Sequence, residues 1–251
     1  VYCFTNRPHA VNLCYSNPEL SYFFLVNGNF SNTNQFEVLN YLTNDKEKKD
    51  GTAYLVPPTR LPDSMTSGSP QLDLIGNSFS NLPVGLTDYI KRNELEDELK
   101  KVLLEKDRYP IVTLKGRGGI GKTSLAIHVI DEIINTFPSR FQVIVWFSAR
   151  DVDLMVEGPK QVQAVVANQK DISIEYYNQI GEKRSKKTVI DDFSKELTHN
   201  SIGDALYIFD NFETLSNPIE VFEWLDSYIR LPNKILITSR LSRNFKADYP
   251  V

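Results

Sequence analysis

The rhythm of hydrophobic positions changes about a third of the way along the chain. Up to about residue 85 they come in short clusters, Val11 to Tyr15 and Tyr22 to Val26, set among Asn, Ser and Pro without a sustained helical period. This predicts short strands joined by loops. Asp45 to Asp50 reads as a solvated charged turn, and Pro57-Pro58, Leu61 to Ser64 and Ser67 to Pro70 as an irregular connector. From Lys91 the pattern becomes helical. Leu95, Leu99, Val102 and Leu103 form one stripe, while Glu94, Glu96, Asp97, Lys100 and Lys101 take the other faces, giving a helix that ends by Pro110.

Ile111 to Leu114 is a continuous, partly β-branched apolar run, as expected of a strand covered on both faces. A Gly-rich turn follows, then a second helical stripe at Leu125, Val129, Ile130, Ile133 and Ile134, closed before Pro138. Phe141 to Ser148, Ala205 to Phe209 and Lys234 to Thr238 are further strands, spaced widely enough for crossover helices. The predicted fold is α/β, an open parallel sheet flanked by helices and preceded by a smaller segment of strands and loops. The expected boundaries are 1–70 for the first domain, 71–88 for a linker and 89–251 for the α/β domain.

Composition narrows the function classes. The 251 residues are 41% hydrophobic and 24% charged, ordinary for a globular chain, and no apolar run approaches the roughly 20 residues of a membrane helix. A net charge of -4 supplies no global field for nucleic acid, which is not an expected partner of this segment. Cys3 and Cys14 have neither metal-ligand spacing nor the density of a disulfide scaffold, which points to a reducing cytoplasm. Beginning at Val1, and opening an extended segment as it ends, the chain reads as part of a longer protein.

The candidate chemistry lies in the Gly-rich turn. Gly116-Arg117-Gly118-Gly119-Ile120-Gly121-Lys122-Thr123 has Gly, four residues, then Gly-Lys-Thr, between a buried strand and a helix. At average residue frequencies that pattern arises by chance in about one chain in a hundred of this length. Glycine lets the backbone N–H groups curl around an anion in conformations a Cβ obstructs, and the next helix aims its positive end at the phosphates. Lys122 is expected to reach the β and γ phosphates of ATP, and Thr123 to bind Mg2+. Leu206 to Asp210 is a strand ending in the second metal-shell residue, Asp210. Glu213 is the candidate for polarising water, with Asn211 where many ATPases carry a second acid. Arg240, after the last strand, is placed to read the γ phosphate by its planar fork of donors.

Tyr89-Ile90-Lys91-Arg92, Gly116 to Ser124, Phe141 to Ser148 with Trp146, Leu206 to Glu213 and Ile235 to Arg240 together resemble the nucleotide-binding domain of STAND-class signalling ATPases, the NB-ARC type, over about residues 86–251. The resemblance implies ATP/ADP and Mg2+ as cofactors, with Ile90, Arg92, Gly116, Gly118, Gly119, Ile120, Gly121, Lys122, Thr123 and Ser124 on the nucleotide, Thr123 and Asp210 on the metal, and Lys122, Asp210, Glu213 and Arg240 in catalysis. The family commonly has Gly where this chain has Lys91. It further implies slow ATP hydrolysis, and a switch that self-associates, activates an N-terminal effector or adaptor domain of which residues 1–70 are the C-terminal part, and answers a trigger sensed beyond Val251, as in bacterial antiviral immunity. Two rival readings are a loader or motor stimulated by nucleic acid and a non-hydrolysing scaffold holding ADP. The basic stretch Lys183 to Lys187 is most simply a solvated helix end or loop.

Overall fold

The computed structural model describes residues 22–24, 35–40, 46–50, 61, 63–84, 89–155, 158–240 and 248–250, with side chains over 61, 63–84, 89–153 and 161–240. The chain divides into two compact units, Val1–Pro62 and Asp63–Val251. In the first, β1 (Tyr22–Phe24), β2 (Gln35–Asn40) and β3 (Lys46–Asp50) form an antiparallel sheet in that order. The charged run expected as a turn is therefore a strand at Lys46–Asp50. Its register sets Glu37 opposite Lys48, and a charged sequence suits an edge strand. Val11 to Tyr15, both cysteines and His9 lie outside the described residues.

The second unit is built on a seven-stranded sheet. Its strands, in chain order, are β4 (Asp73–Ile75), β5 (Ser78–Ser80), β6 (Ile111–Lys115), β7 (Val143–Ser148), β10 (Ala205–Asp210), β11 (Lys234–Ser239) and β12 (Asp248–Pro250). Across the sheet the order is β12-β6-β11-β10-β7-β5-β4, every neighbouring pair parallel except the β4–β5 hairpin. Among the described residues, five α-helices flank this sheet: α1 (Asn93–Leu104), α2 (Lys122–Thr136), α3 (Gln169–Gln179), α4 (Val189–Thr198) and α5 (Pro218–Tyr228). Between β7 and α3 lies a separate hairpin of β8 (Val152–Met155) and β9 (Gly158–Gln161). No described helix is long and apolar enough to cross a membrane.

The unbroken apolar strands are explained by the covering of both faces. On one face Ile144, Trp146, Leu206, Ile208 and Leu236 pack with α1 and α2; on the other Val145, Phe147, Tyr207, Phe209 and Ile237 pack with α3, α4 and α5. Period-two alternation thus distributes the side chains between two cores. Lys234, fully buried at the start of β11, donates to the carbonyls of Val102, Arg108 and Tyr109 at 2.7, 2.6 and 3.2 Å, tying the end of α1 and the connector before β6 to the sheet.

Two sequence expectations need correction. Residues 71–88 are not an irregular linker throughout, because β4 and β5 within them extend the sheet beyond β7. Past β5, Asn81 continues the ladder with its side chain: Oδ1 accepts from Trp146 N at 2.7 Å, and Nδ2 donates to Trp146 O at 3.0 Å. Glu96, expected on a solvent face of α1, is buried; its Oε1 accepts from Arg92 N at 2.6 Å and from the Tyr89 hydroxyl at 2.8 Å.

Candidate functional site

Turns at the carboxyl ends of β6, β7, β10 and β11 meet at one edge of the sheet, where ligands of open α/β folds bind. The Gly116–Thr123 loop leaves β6 with Gly116 N donating to Ser239 O, 3.3 Å away at the end of β11. Gly119 and Gly121 adopt φ of 76° and 91°, a left-handed backbone that glycine takes without penalty. Gly121 is also the N-cap of α2 and makes no side-chain capping bond, and the first N–H groups of a helix have no partner within it. Lys122 Nζ donates to the carbonyls of Gly116 and Arg117 at 2.8 and 3.1 Å. Burial lowers its pKa, with Arg240 and Arg150 pulling the same way and Glu213 and Asp210 opposing.

Thr123 and Asp210 meet as their types require for a hard cation. The Thr123 hydroxyl donates to Asp210 Oδ1 at 2.7 Å, and the Thr238 hydroxyl donates to the same oxygen at 2.7 Å. Asp210 is fully buried, which pushes its carboxyl above the ordinary value against the opposing pull of Arg150 and the two hydroxyls. A buried carboxylate and an adjacent hydroxyl are a donor set that fits magnesium, which completes its shell with phosphate oxygens and water. No group of three or more His, Cys, Asp or Glu side chains suited to a metal occurs among the described residues.

Asn211 has φ of 56°, a left-handed conformation that asparagine tolerates better than most residues, and its N–H donates to Thr238 Oγ1 at 3.0 Å. The chain then enters a short 3-10 turn, Phe212–Thr214, bringing Glu213 beside Arg240. Arg240 Nε lies 3.2 Å from Glu213 Oε1, while Glu213 Oε2 is buried without a hydrogen bond among the described residues. Arg240 also lies over the loop: a Cβ built on Gly118 would stand 3.0 Å from its Cζ.

Arg150, just past β7, has no counterpart in the sequence reading. Its Nη2 lies 3.1 Å from Thr123 Oγ1 and 3.5 Å from Asp210 Oδ2. Gly119, Gly121, Thr123, Ser124, Arg150 and Arg240 line a cleft of about 190 Å³. Whole-ligand pockets span roughly 300–1,000 Å³, so this cleft matches phosphate groups rather than a complete nucleotide. On the entry segment, Arg92 Nη2 donates to Ile120 O, and Ile90 is exposed. His128, on α2, stacks on Tyr89 with ring centroids 4.4 Å apart, its Nε2 3.7 Å from Glu96 Oε2. Burial pushes the Glu96 carboxyl up, but the Arg92 N–H, Tyr89, His128 and Lys91 together hold it below the usual glutamate value. Within the basic stretch, Arg184 pairs with Glu182 at 2.6 Å and lies over the Tyr177 ring.

Residues 92–205 match the NB-ARC domain family. No curated protein matches the chain. Among solved structures it is similar to Cdc6p from Pyrobaculum aerophilum, with 14% identity, 62% of this chain and 42% of that one covered, and a TM-score of 0.42. It is also similar to the Aeropyrum pernix ORC2 protein in ADPNP-ADP complexes, with 18% identity, 63% and 43% covered and a TM-score of 0.45. Drosophila ORC bound to DNA gives 12% identity, 76% and 50% covered and a TM-score of 0.47. The chain spans half or less of the length of these structures.

Proposed function

We propose that this chain, whose residues 92–205 match the NB-ARC domain family, is an ATP-dependent switch with slow ATP hydrolysis, whose nucleotide state governs self-association and the activity of an effector that includes residues 1–70. The observation that carries this reading is the Arg240–Glu213 ion pair over the phosphate loop, 3.2 Å between Nε and Oε1. A γ phosphate at the loop competes with Glu213 for the Arg240 guanidinium, so ATP and ADP leave the two side chains in different arrangements. Freed from that pair, Glu213 can take a proton from an attacking water.

The rest of the site serves binding. Lys122 moves its ammonium from the loop carbonyls to phosphate oxygens, and the N–H groups of the first turn of α2 hold the β phosphate. Thr123 and Asp210 hold the magnesium ion, which supplies positive charge to the phosphates. Ile90 and Arg92 line the side of the adenine and its phosphates, through an arm anchored by Tyr89, Glu96 and His128. A role in immunity, with a trigger sensed outside this segment, follows from the family resemblance and the cytoplasmic setting from the sequence.

The test is the size distribution of the complete protein with ATP, ADP or no nucleotide, while phosphate release is followed with and without DNA. The switch predicts ATP-dependent assembly with slow turnover indifferent to DNA. DNA-stimulated turnover without assembly would replace it with a loader or motor.

A further inference from the structure

Arg150 is an under-bonded cation in an enclosed place. Its side chain is 19% exposed, and its Nε is buried without a hydrogen bond among the described residues. Nη1 lies 3.5 Å from Asp153 Oδ1, and Nη2 lies 3.5 Å from Asp210 Oδ2. Strong guanidinium–carboxylate hydrogen bonds measure about 2.7–2.9 Å, so both ionic contacts are loose. Its shortest contact is Nη2 to Thr123 Oγ1, 3.1 Å.

The partners matter more than the lengths. Asp210 Oδ1 already accepts from two hydroxyls, whereas Oδ2 has Arg150 as its one hydrogen-bond donor among the described residues. A fully buried carboxylate without a neighbouring cation is costly, so a positive charge belongs at Oδ2. Thr123 Oγ1 and Asp210 Oδ2 are the oxygens that the proposed metal site would use, and the guanidinium lies on both. Two cations at that spacing repel strongly in a buried site. Asp153, fixed by Ser64 Oγ at 2.8 Å and by Met65 N at 3.0 Å, offers Arg150 a second carboxylate from which it need not part.

We propose that Arg150 is a positioning residue that holds the metal's place between Thr123 Oγ1 and Asp210 Oδ2, so that magnesium and the guanidinium are mutually exclusive there. Loading of the magnesium nucleotide then displaces Arg150 toward Asp153, and the free-Mg2+ concentration that permits loading is set partly by this side chain. The inference rests on the reading of Thr123 and Asp210 as the metal pair.

The experiment titrates Mg2+ into the complete protein with a fixed amount of a fluorescent ADP analogue. Arg150→Met keeps an unbranched apolar stem and removes the charge, and its half-saturating Mg2+ is expected to fall about tenfold. Arg150→Lys, with a cation but no fork, should lie between and carries the test if the Met variant does not fold. Mn2+ binding without nucleotide, read by electron paramagnetic resonance, should tighten in parallel. An unchanged or raised midpoint in both variants, with wild-type loading still metal-dependent, would overturn the role of Arg150 alone. Metal-independent loading in the wild type, matched by Thr123→Ala, would instead overturn the metal pair and the inference with it.

Discussion

Gly118 and Arg240 depend on each other. Any Cβ at position 118 would meet the guanidinium at 3.0 Å, and the guanidinium in turn holds Glu213. Arg240→Ala should leave affinity for ADP within about twofold of wild type while reducing the preference for ATP by about tenfold, the worth of one charge-assisted contact. Equal loss of both nucleotides in paired titrations would remove Arg240 from γ-phosphate recognition. At this scale the loop was legible in the sequence because its spacing carries geometry: glycine at 119 and 121, where φ is positive, then Lys-Thr opening the helix. Arg150 was not legible, since a lone arginine after a strand reads as surface until the fold sets it against Thr123 and Asp210. Glu96 was misplaced because periodicity reports which faces of a helix are apolar, not that a carboxylate will be buried by bonding to Arg92 N and Tyr89.

Among the elements, the long apolar strands and the amphipathic helices were legible because burial on two faces requires unbroken runs such as Val143 to Ser148. The β4–β5 hairpin was not. Its strands have three residues each, Asp73–Ile75 are all exposed, and the surrounding Ser, Asn and Gly resemble a connector. Beyond the short β5–β7 backbone ladder, side chains attach this margin of the sheet, with the Asn81 amide matched to both peptide groups of Trp146 and Trp146 Nε1 donating to Thr66 O at 2.9 Å. Asn81→Ala orphans a buried N–H and a buried carbonyl and should cost about 2 kcal/mol in denaturant unfolding. A loss below about 0.5 kcal/mol would mean that water or a shift of β5 replaces the amide.

For the molecule as a whole, strand order does the assembling. The insertion of β11 between β6 and β10 places the turn carrying Arg240 between the phosphate loop and Asp210, and the adjacency of β7 to β10 brings Arg150 to the same edge. Sequence spacing predicted the strands and their parallel direction, but the order across the sheet, and with it the pairing of Arg240 with Glu213, is a property of tertiary packing. Nucleotide binding at this edge is the premise of the proposed switch. The direct measurement is titration of a fluorescent ATP analogue, with Mg2+, into the complete wild-type protein and Lys122→Ala, both checked for folding by circular dichroism. Lys122 gives up two backbone carbonyls to reach phosphate, so its removal should weaken ATP binding at least about tenfold while leaving the fold intact. Equal binding by two equally folded proteins would contradict the account.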